Sequence, residues 1–267
     1  MSIKKLIPII IVLAFILPSF AHADITTGLQ GWYKFDDGTG TDAVDSSSNS
    51  ILGALTGVTK PTWTAPGKIG AYDLTFNGSV GYVNLTNNSL LNPAAITISA
   101  WVNFSSLTNA YNAIVSRTPG SGYYQLFVKS NGKLAVYLNA SAFVNYDGTG
   151  TYTLTTGTWY HLVVTYSSVA GLVTYVDNQV DKTVTANGAL GSNTNVTTIG
   201  LDNATAGRIP AAQIDDVRIY NRALSASDVL ELYNYTGISA PANNFTRFII
   251  KLGKTFQVKL GSTFKLH

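Results

Sequence analysis

Two segments at opposite ends of the body share one design. Gly31-Trp32-Tyr33-Lys34-Phe35-Asp36-Asp37-Gly38-Thr39-Gly40 and Ile214-Asp215-Asp216-Val217-Arg218-Ile219-Tyr220-Asn221-Arg222-Ala223-Leu224-Ser225 are each a short apolar strand carrying an Asp pair. The chain between them is rich in Tyr, Thr, Val, Ile and Gly, with short apolar runs separated by Gly/Asn/Ser/Asp clusters. That pattern belongs to antiparallel all-β chains. Further strands are expected at Tyr72–Phe76, Gly81–Leu85, Ile96–Phe104, Ala113–Arg117, Tyr123–Lys129, Lys133–Leu138, Trp159–Tyr166, Gly171–Val176, Gln179–Val184, Val196–Leu201 and Gln213–Tyr220. Their spacing suits a sandwich or barrel.

Local chemistry supports the strands. In Ile96–Val102, Ile96, Ile98, Ala100 and Val102 share one face, while Thr97, Ser99 and Trp101 share the other. Asn131-Gly132 is the strongest short hairpin signal, and Asp177-Asn178 marks a second turn. One helix is expected, capped by Ser225 with Asp228 three residues on. Val229, Leu230, Leu232 and Tyr233 give it an apolar stripe, and Gly237 is expected to stop it.

The ends read differently. Lys4 and Lys5, an apolar stretch from Leu6 to Phe20 and Ala21-His22-Ala23 form a secretory signal peptide over residues 1–23. The apolar run between Pro8 and Pro18 is too short to span a membrane, so the mature chain carries no expected transmembrane span. Ser239–Asn244 reads as a linker, and residues 238–267 form a basic extension that repeats K-L-G-x-T-F from Lys251 and again from Lys259. A basic hairpin that meets an anionic surface and a plain C-terminal extension are both open readings of it. Cys is absent, so an exported fold must be held by its core and by any metal. Between Asp24 and Ala240, ten Lys and Arg face fourteen acids, so the body is acidic and no nucleic-acid surface is expected.

The body, 24–237, resembles the laminin G-like jelly-roll domains of the concanavalin A-like lectin/glucanase superfamily. The resemblance rests on an ordered set of segments. Besides the two terminal strands these are Asp45-Ser46-Ser47-Ser48-Asn49, Leu74-Thr75-Phe76-Asn77-Gly78, Thr97-Ile98-Ser99-Ala100-Trp101-Val102, Gly157–Tyr166 and Tyr175-Val176-Asp177. It implies an all-β, two-sheet antiparallel jelly-roll sandwich with one short C-terminal helix. Such a fold brings the terminal strands together, with Asp36 or Asp37 near Asp215 or Asp216. The resemblance also implies a structural calcium, for which Asp36, Asp45 and Asp215 are the candidate ligands. Alternatively, Asp45 caps a turn and Asp215 pairs with Arg222 or accepts backbone N–H bonds. By alternation Asp215 shares a face with Val217 and Ile219, and so points to the core unless the strand bulges.

Catalysis finds little support. Hydrolysis by paired carboxylates needs two acids a few ångströms apart, and no central strand carries two on one face. His161 is the body's single His and reads as a half-buried structural residue. No G-x-S-x-G or phosphate loop occurs. Binding is the better expectation. Tyr137, Tyr146, Gln125 and Asn139 are the candidate ligand-binding residues, since sugars are held by aromatic faces and amides. The sequence therefore predicts a secreted, non-catalytic module for extracellular carbohydrate or a cell-surface protein. A structural surface protein that assembles through its basic tail is the alternative, and a divergent polysaccharide-active enzyme the second alternative.

Overall fold

The computed structural model describes residues 24–118, 124–139, 143–202, 205 and 207–237. The leader, 1–23, and the linker with its basic repeat, 238–267, lie outside the described residues.

The strands are β1 (Leu29–Tyr33), β2 (Asp42–Ala43), β3 (Gly53–Thr56), β4 (Thr62–Thr64), β5 (Asp73–Asn77), β6 (Tyr82–Leu85), β7 (Ile96–Ser106) and β8 (Tyr111–Arg117). They continue with β9 (Tyr124–Lys129), β10 (Leu134–Asn139), β11 (Phe143–Asp147), β12 (Trp159–Ser167), β13 (Gly171–Val176), β14 (Gln179–Val184), β15 (Thr197–Ile199) and β16 (Ala211–Tyr220). Helix α1 (Ala226–Tyr233) follows. One sheet runs β14-β13-β12-β7-β16-β5-β4, with β1 also paired to β16. The other runs β11-β10-β9-β8-β15-β6-β3-β2. The ladders are antiparallel. The protein is a two-sheet jelly-roll sandwich.

Alternation builds the core. Leu74, Phe76, Ile98, Phe104, Leu162 and Ile214 from the first sheet meet Val83, Leu85, Leu126, Val128, Val136 and Leu138 from the second. Each such side chain contributes about 1.5–3 kcal/mol on burial. Helix α1 covers part of the first sheet's other face, packing Val229 and Leu232 against Val163, Tyr175, Tyr220 and Leu224. Its start is fixed as expected. Asp228 N–H donates to Ser225 Oγ at 3.2 Å, and Ser225 N–H donates back to Asp228 Oδ2 at 2.9 Å.

Both expected turns form. Gly132 takes φ 75°, and Asp177 and Asn178 take φ 48° and 63°, the left-handed pair a two-residue hairpin needs. The helix ends at Tyr233 with Asn234 as cap, four residues before the expected stop at Gly237. Leu230 faces water and not the core. Strands β2, β3, β4 and β11 were not expected from the sequence. Three of them close the ends of sheets, and all are five residues or fewer, too short for a clear alternating pattern.

Strand β16 changes partner midway. Ala211–Ile214 pair with β5, whereas Val217–Tyr220 pair with β1. The ladder to β7 slips between Asp215 and Arg218, and Asp216 takes φ 47°. Ile214, Val217 and Ile219 all enter the core. Asp215 and Asp216 thus stand together where alternation allows one residue, which is a β-bulge.

Candidate binding faces and the buried carboxylates

The bulge corrects the orientation of Asp215. Its carboxyl group is turned from the core side chains of β16 and grips a loop. Asp215 Oδ2 accepts the Ile69 N–H at 2.8 Å, and Oδ1 accepts the Asp216 N–H at 2.7 Å. Asp36 Oδ1 holds the same loop two residues on, through the N–H groups of Ala71 at 2.6 Å and Tyr72 at 3.2 Å. The terminal strands do meet around shared acids, and what those acids bind is backbone. Arg222 is the partner of Asp228, at 2.8 Å, and not of Asp215. Burial pushes the Asp215 carboxyl up to about 8.

Asp45 sits apart from that loop. Its Oδ1 accepts from Trp32 N–H and Ser47 N–H, and its Oδ2 from Ser47 Oγ and Ile51 N–H, all at 2.8 Å. A carboxylate has about four acceptor positions, and here all four are taken. Among the described residues no three acidic or histidine side chains converge on a point. A calcium ion asks for six to eight oxygens, so Asp36, Asp45 and Asp215 do not fit one shared calcium site. Calcium and a chelator are both expected to leave the unfolding temperature of the mature chain where it was. A calcium-dependent rise that Asp45→Ala removes would contradict this.

The four expected ligand-binding residues divide. Strands β9 and β10 turn Tyr124, Leu126, Val128, Leu134, Val136 and Leu138 inward. Gln125, Tyr137 and Asn139 therefore lie on the outer face of the second sheet. Tyr146 does not join them. Register sets it opposite Val136, so it enters the core and donates its hydroxyl to Asp181 Oδ2 at 2.9 Å. Gln125 is buried on its own face, 3.5 Å from Ser116 Oγ. Tyr137 is half-buried and its hydroxyl, with one proton to give, lies 3.1 Å from both Tyr111 Oη and Asp147 Oδ1. Lys129 completes the group with an ion pair to Asp147 at 2.9 Å. The rings of Tyr111, Phe127 and Tyr137 pack within 5.6–6.1 Å of one another.

Register shows more than the sequence could. Asn84 on β6 lies opposite Thr198 on β15, and Thr198 opposite Ser116 on β8. Ser116 lies opposite Gln125 on β9, Gln125 opposite Tyr137 on β10, and Tyr137 opposite Asn145 on β11. One polar row therefore crosses six strands of the second sheet. Its middle is buried and its ends are open, with Asn145 exposed and Asn84 half-buried.

Other important residues were not found in the sequence. Arg117 is fully buried and donates to Asn87, Asn92, Asn193 and Thr197, tying surface loops to β8 and β15. Asp73 on β5 is fully buried too; burial pushes its carboxyl up to about 6, against the opposing pull of the Gln213 amide. Its neighbour across the first sheet is β16, so the structure does bring two acids, Asp73 and Asp215, to adjacent strands. Neither presents any surface to a substrate. His161 is buried outright and not half-buried: its Nε2 meets Ser99 Oγ at 2.8 Å, and burial pulls its pKa down to about 3.

Comparison with known proteins places this architecture. Domain 4 of AbnA, a GH43 extracellular arabinanase from Geobacillus stearothermophilus solved with arabinotriose, is 20% identical with a TM-score of 0.63, over 77% of this chain and 98% of that one. The binding domain of Paraclostridial Mosquitocidal Protein 1 is 16% identical with a TM-score of 0.64, over 79% of this chain and 53% of that one. The binding domain of botulinum neurotoxin DC, solved with rat synaptotagmin II, is 17% identical with a TM-score of 0.61, over 79% and 52%. This chain thus spans about half of each toxin domain. No curated protein matches the sequence. A laminin G-type family profile described as the concanavalin A-like lectin/glucanases superfamily matches residues 77–230, over half of the chain. The ordered motifs, the two-sheet topology and that match agree: the chain belongs to the laminin G-like family of the concanavalin A-like lectin/glucanases superfamily.

Proposed function

We propose that this chain is a secreted, non-catalytic module that binds extracellular carbohydrate on the outer face of its second sheet, in adhesion or polymer capture. The accessible end of the polar row there, the half-buried Tyr137 and the exposed Asn145, with the Tyr111 ring beside it, is the observation that carries this reading. Amides and hydroxyls match the hydroxyls of a sugar, and aromatic faces match the apolar side of its ring. Asp147 and Lys129 hold the two tyrosines in one orientation, so little side-chain freedom is lost on binding. Secretion rests on the leader in residues 1–23.

The non-catalytic part rests on the acids. Cleavage of a glycosidic bond needs a carboxylic acid and a carboxylate reaching the scissile bond. Asp73 and Asp215 are fully buried, and the exposed Asp147 is engaged by Lys129 and two tyrosine hydroxyls. Tyr137→Ala is expected to weaken binding of the mature chain to its best ligand on a glycan array by about tenfold, with a modest fall in unfolding temperature and the fold retained. Equal binding by wild type and Tyr137→Ala would sink the reading, and so would release of new reducing ends from the polysaccharide.

A further inference from the structure

The first sheet carries a second polar row, on the face away from the core. Thr75 on β5 lies opposite Gln213 on β16, Gln213 opposite Asn103 on β7, and Asn103 opposite Trp159 on β12. With strands about 4.8 Å apart, these four span about 14 Å. An open groove of about 440 Å³ lies over Thr75, Gln213 and Asn103, lined also by Thr64, Ser105 and Gly157, and Trp159 stands on the next strand beyond that lining. Thr75, Asn103, Trp159 and Gln213 are all partly exposed, unlike the buried middle of the row on the second sheet.

The groups along this groove are oriented from beneath. Gln213 Nε2 donates to the buried Asp73 Oδ2 at 2.9 Å, which fixes the amide and leaves Oε1 as the outward acceptor. Asn103 Nδ2 reaches that oxygen only at 3.4 Å, near the long limit for such a bond, so the contact is weak and open to replacement by a ligand hydroxyl. Thr64 and Thr75 share one hydrogen bond at 2.7 Å, which uses one of their two hydroxyl protons. The lining side chains carry no charge. An anionic ligand would lose hydration here with nothing to pair it, whereas a neutral one needs only the amides, hydroxyls and an aromatic face.

We propose that this groove is a second binding site, for a short segment of a neutral polysaccharide. Trp159 stacks on a sugar ring at one end, and Asn103 and Gln213 bond its hydroxyls. The site lies on the opposite sheet from the Tyr137 face and does not depend on it. Together the two faces would let one module hold two glycan strands.

The test is titration of the mature chain with neutral cello-, xylo- and arabino-oligosaccharides, followed by calorimetry and tryptophan fluorescence, with polygalacturonate as the charged control. Trp159→Ala and Asn103→Ala are expected each to weaken neutral-glycan binding by about tenfold and to leave polygalacturonate unbound, as in wild type. Tyr137→Ala is expected to leave this site intact. The pair of groove variants guards against a fold defect in either, and their thermal unfolding is read alongside. The proposal is overturned if no neutral oligosaccharide binds wild type. It is equally overturned if both folded groove variants bind like wild type, or if Tyr137→Ala alone abolishes all binding. Loss of the Tyr137 contribution with the groove unaffected would support the groove while testing the other face separately.

Discussion

Arg218→Ala is expected to destabilise the protein by about 3–5 kcal/mol, the loss that follows when one member of a buried ion pair is removed. Arg218 and Asp216 both have side chains only 2% exposed, and Arg218 Nη2 meets Asp216 Oδ2 at 3.1 Å. The Trp32 indole N–H also donates to Asp216 Oδ1 at 2.6 Å. The guanidinium lies between two rings, 4.3 Å from the centroids of Trp32 and of Tyr235. Alanine would leave Asp216 charged in a dry site and open a gap between the rings. The double variant Asp216→Asn/Arg218→Met should recover much of the loss, because it removes both charges and keeps the volume. Asn also tolerates the φ of 47° at that position. Urea unfolding of wild type, single and double variants measures this. A single-variant loss below about 1 kcal/mol, the scale of an exposed pair, would refute it.

That site shows how far the sequence could be read. The kinship of the Gly31 and Ile214 segments was legible because each carries its signature within a dozen residues. The structure joins them through Trp32 and Asp216 and through the β1–β16 ladder. The helix, its capping box and both hairpins were legible for the same reason. What failed was whatever depends on register between distant strands. Tyr146 was read as a surface aromatic because β11 was not expected, so its face could not be assigned; pairing with Val136 sends it inward. Gln125 lies on the expected face yet is buried there. The row of Thr75, Gln213, Asn103 and Trp159 is assembled from four strands scattered along the chain, and no local pattern announces it. Asp36, Asp45 and Asp215 were expected as calcium ligands, and in the structure each accepts backbone N–H groups. A carboxylate holding backbone N–H groups and one holding an ion look alike in sequence, and only the count of donors around it separates them.

The same accounting predicts an unusual response to alkali: stability is expected to fall by about 1.5 kcal/mol between pH 6.5 and pH 8, and Asp215→Asn to abolish that fall. In the native state burial pushes the Asp215 carboxyl up to about 8 and that of Asp73 up to about 6, whereas an unfolded carboxyl titrates at 3.8. Within those intervals the folded chain keeps protons that the unfolded chain has released. Their contribution is therefore whole at acid pH and is lost as pH rises. His161 acts in the opposite sense. Its native pKa is about 3 against 6.5, so its contribution is present above 6.5 and is lost as pH falls. Between about 3.8 and 6 the two acids outweigh His161 by one proton and stability falls with pH, and only between about 6 and 6.5, where Asp73 has let go, does His161 nearly cancel Asp215 and flatten the profile. Above about 7 His161 and Asp73 have largely finished titrating and Asp215 sets the slope, close to 1.4 kcal/mol for each pH unit until it begins to titrate itself near 8. Asn at 215 keeps one acceptor for Ile69 or Asp216 and loses the other, so the variant should be less stable at pH 6.5 and yet insensitive to pH above it. Guanidinium unfolding of both proteins at the two pH values decides the matter. A flat wild-type profile, or an Asp215→Asn profile as steep as wild type, would show that the loop from Ile69 to Tyr72 is held by an ionised carboxylate after all.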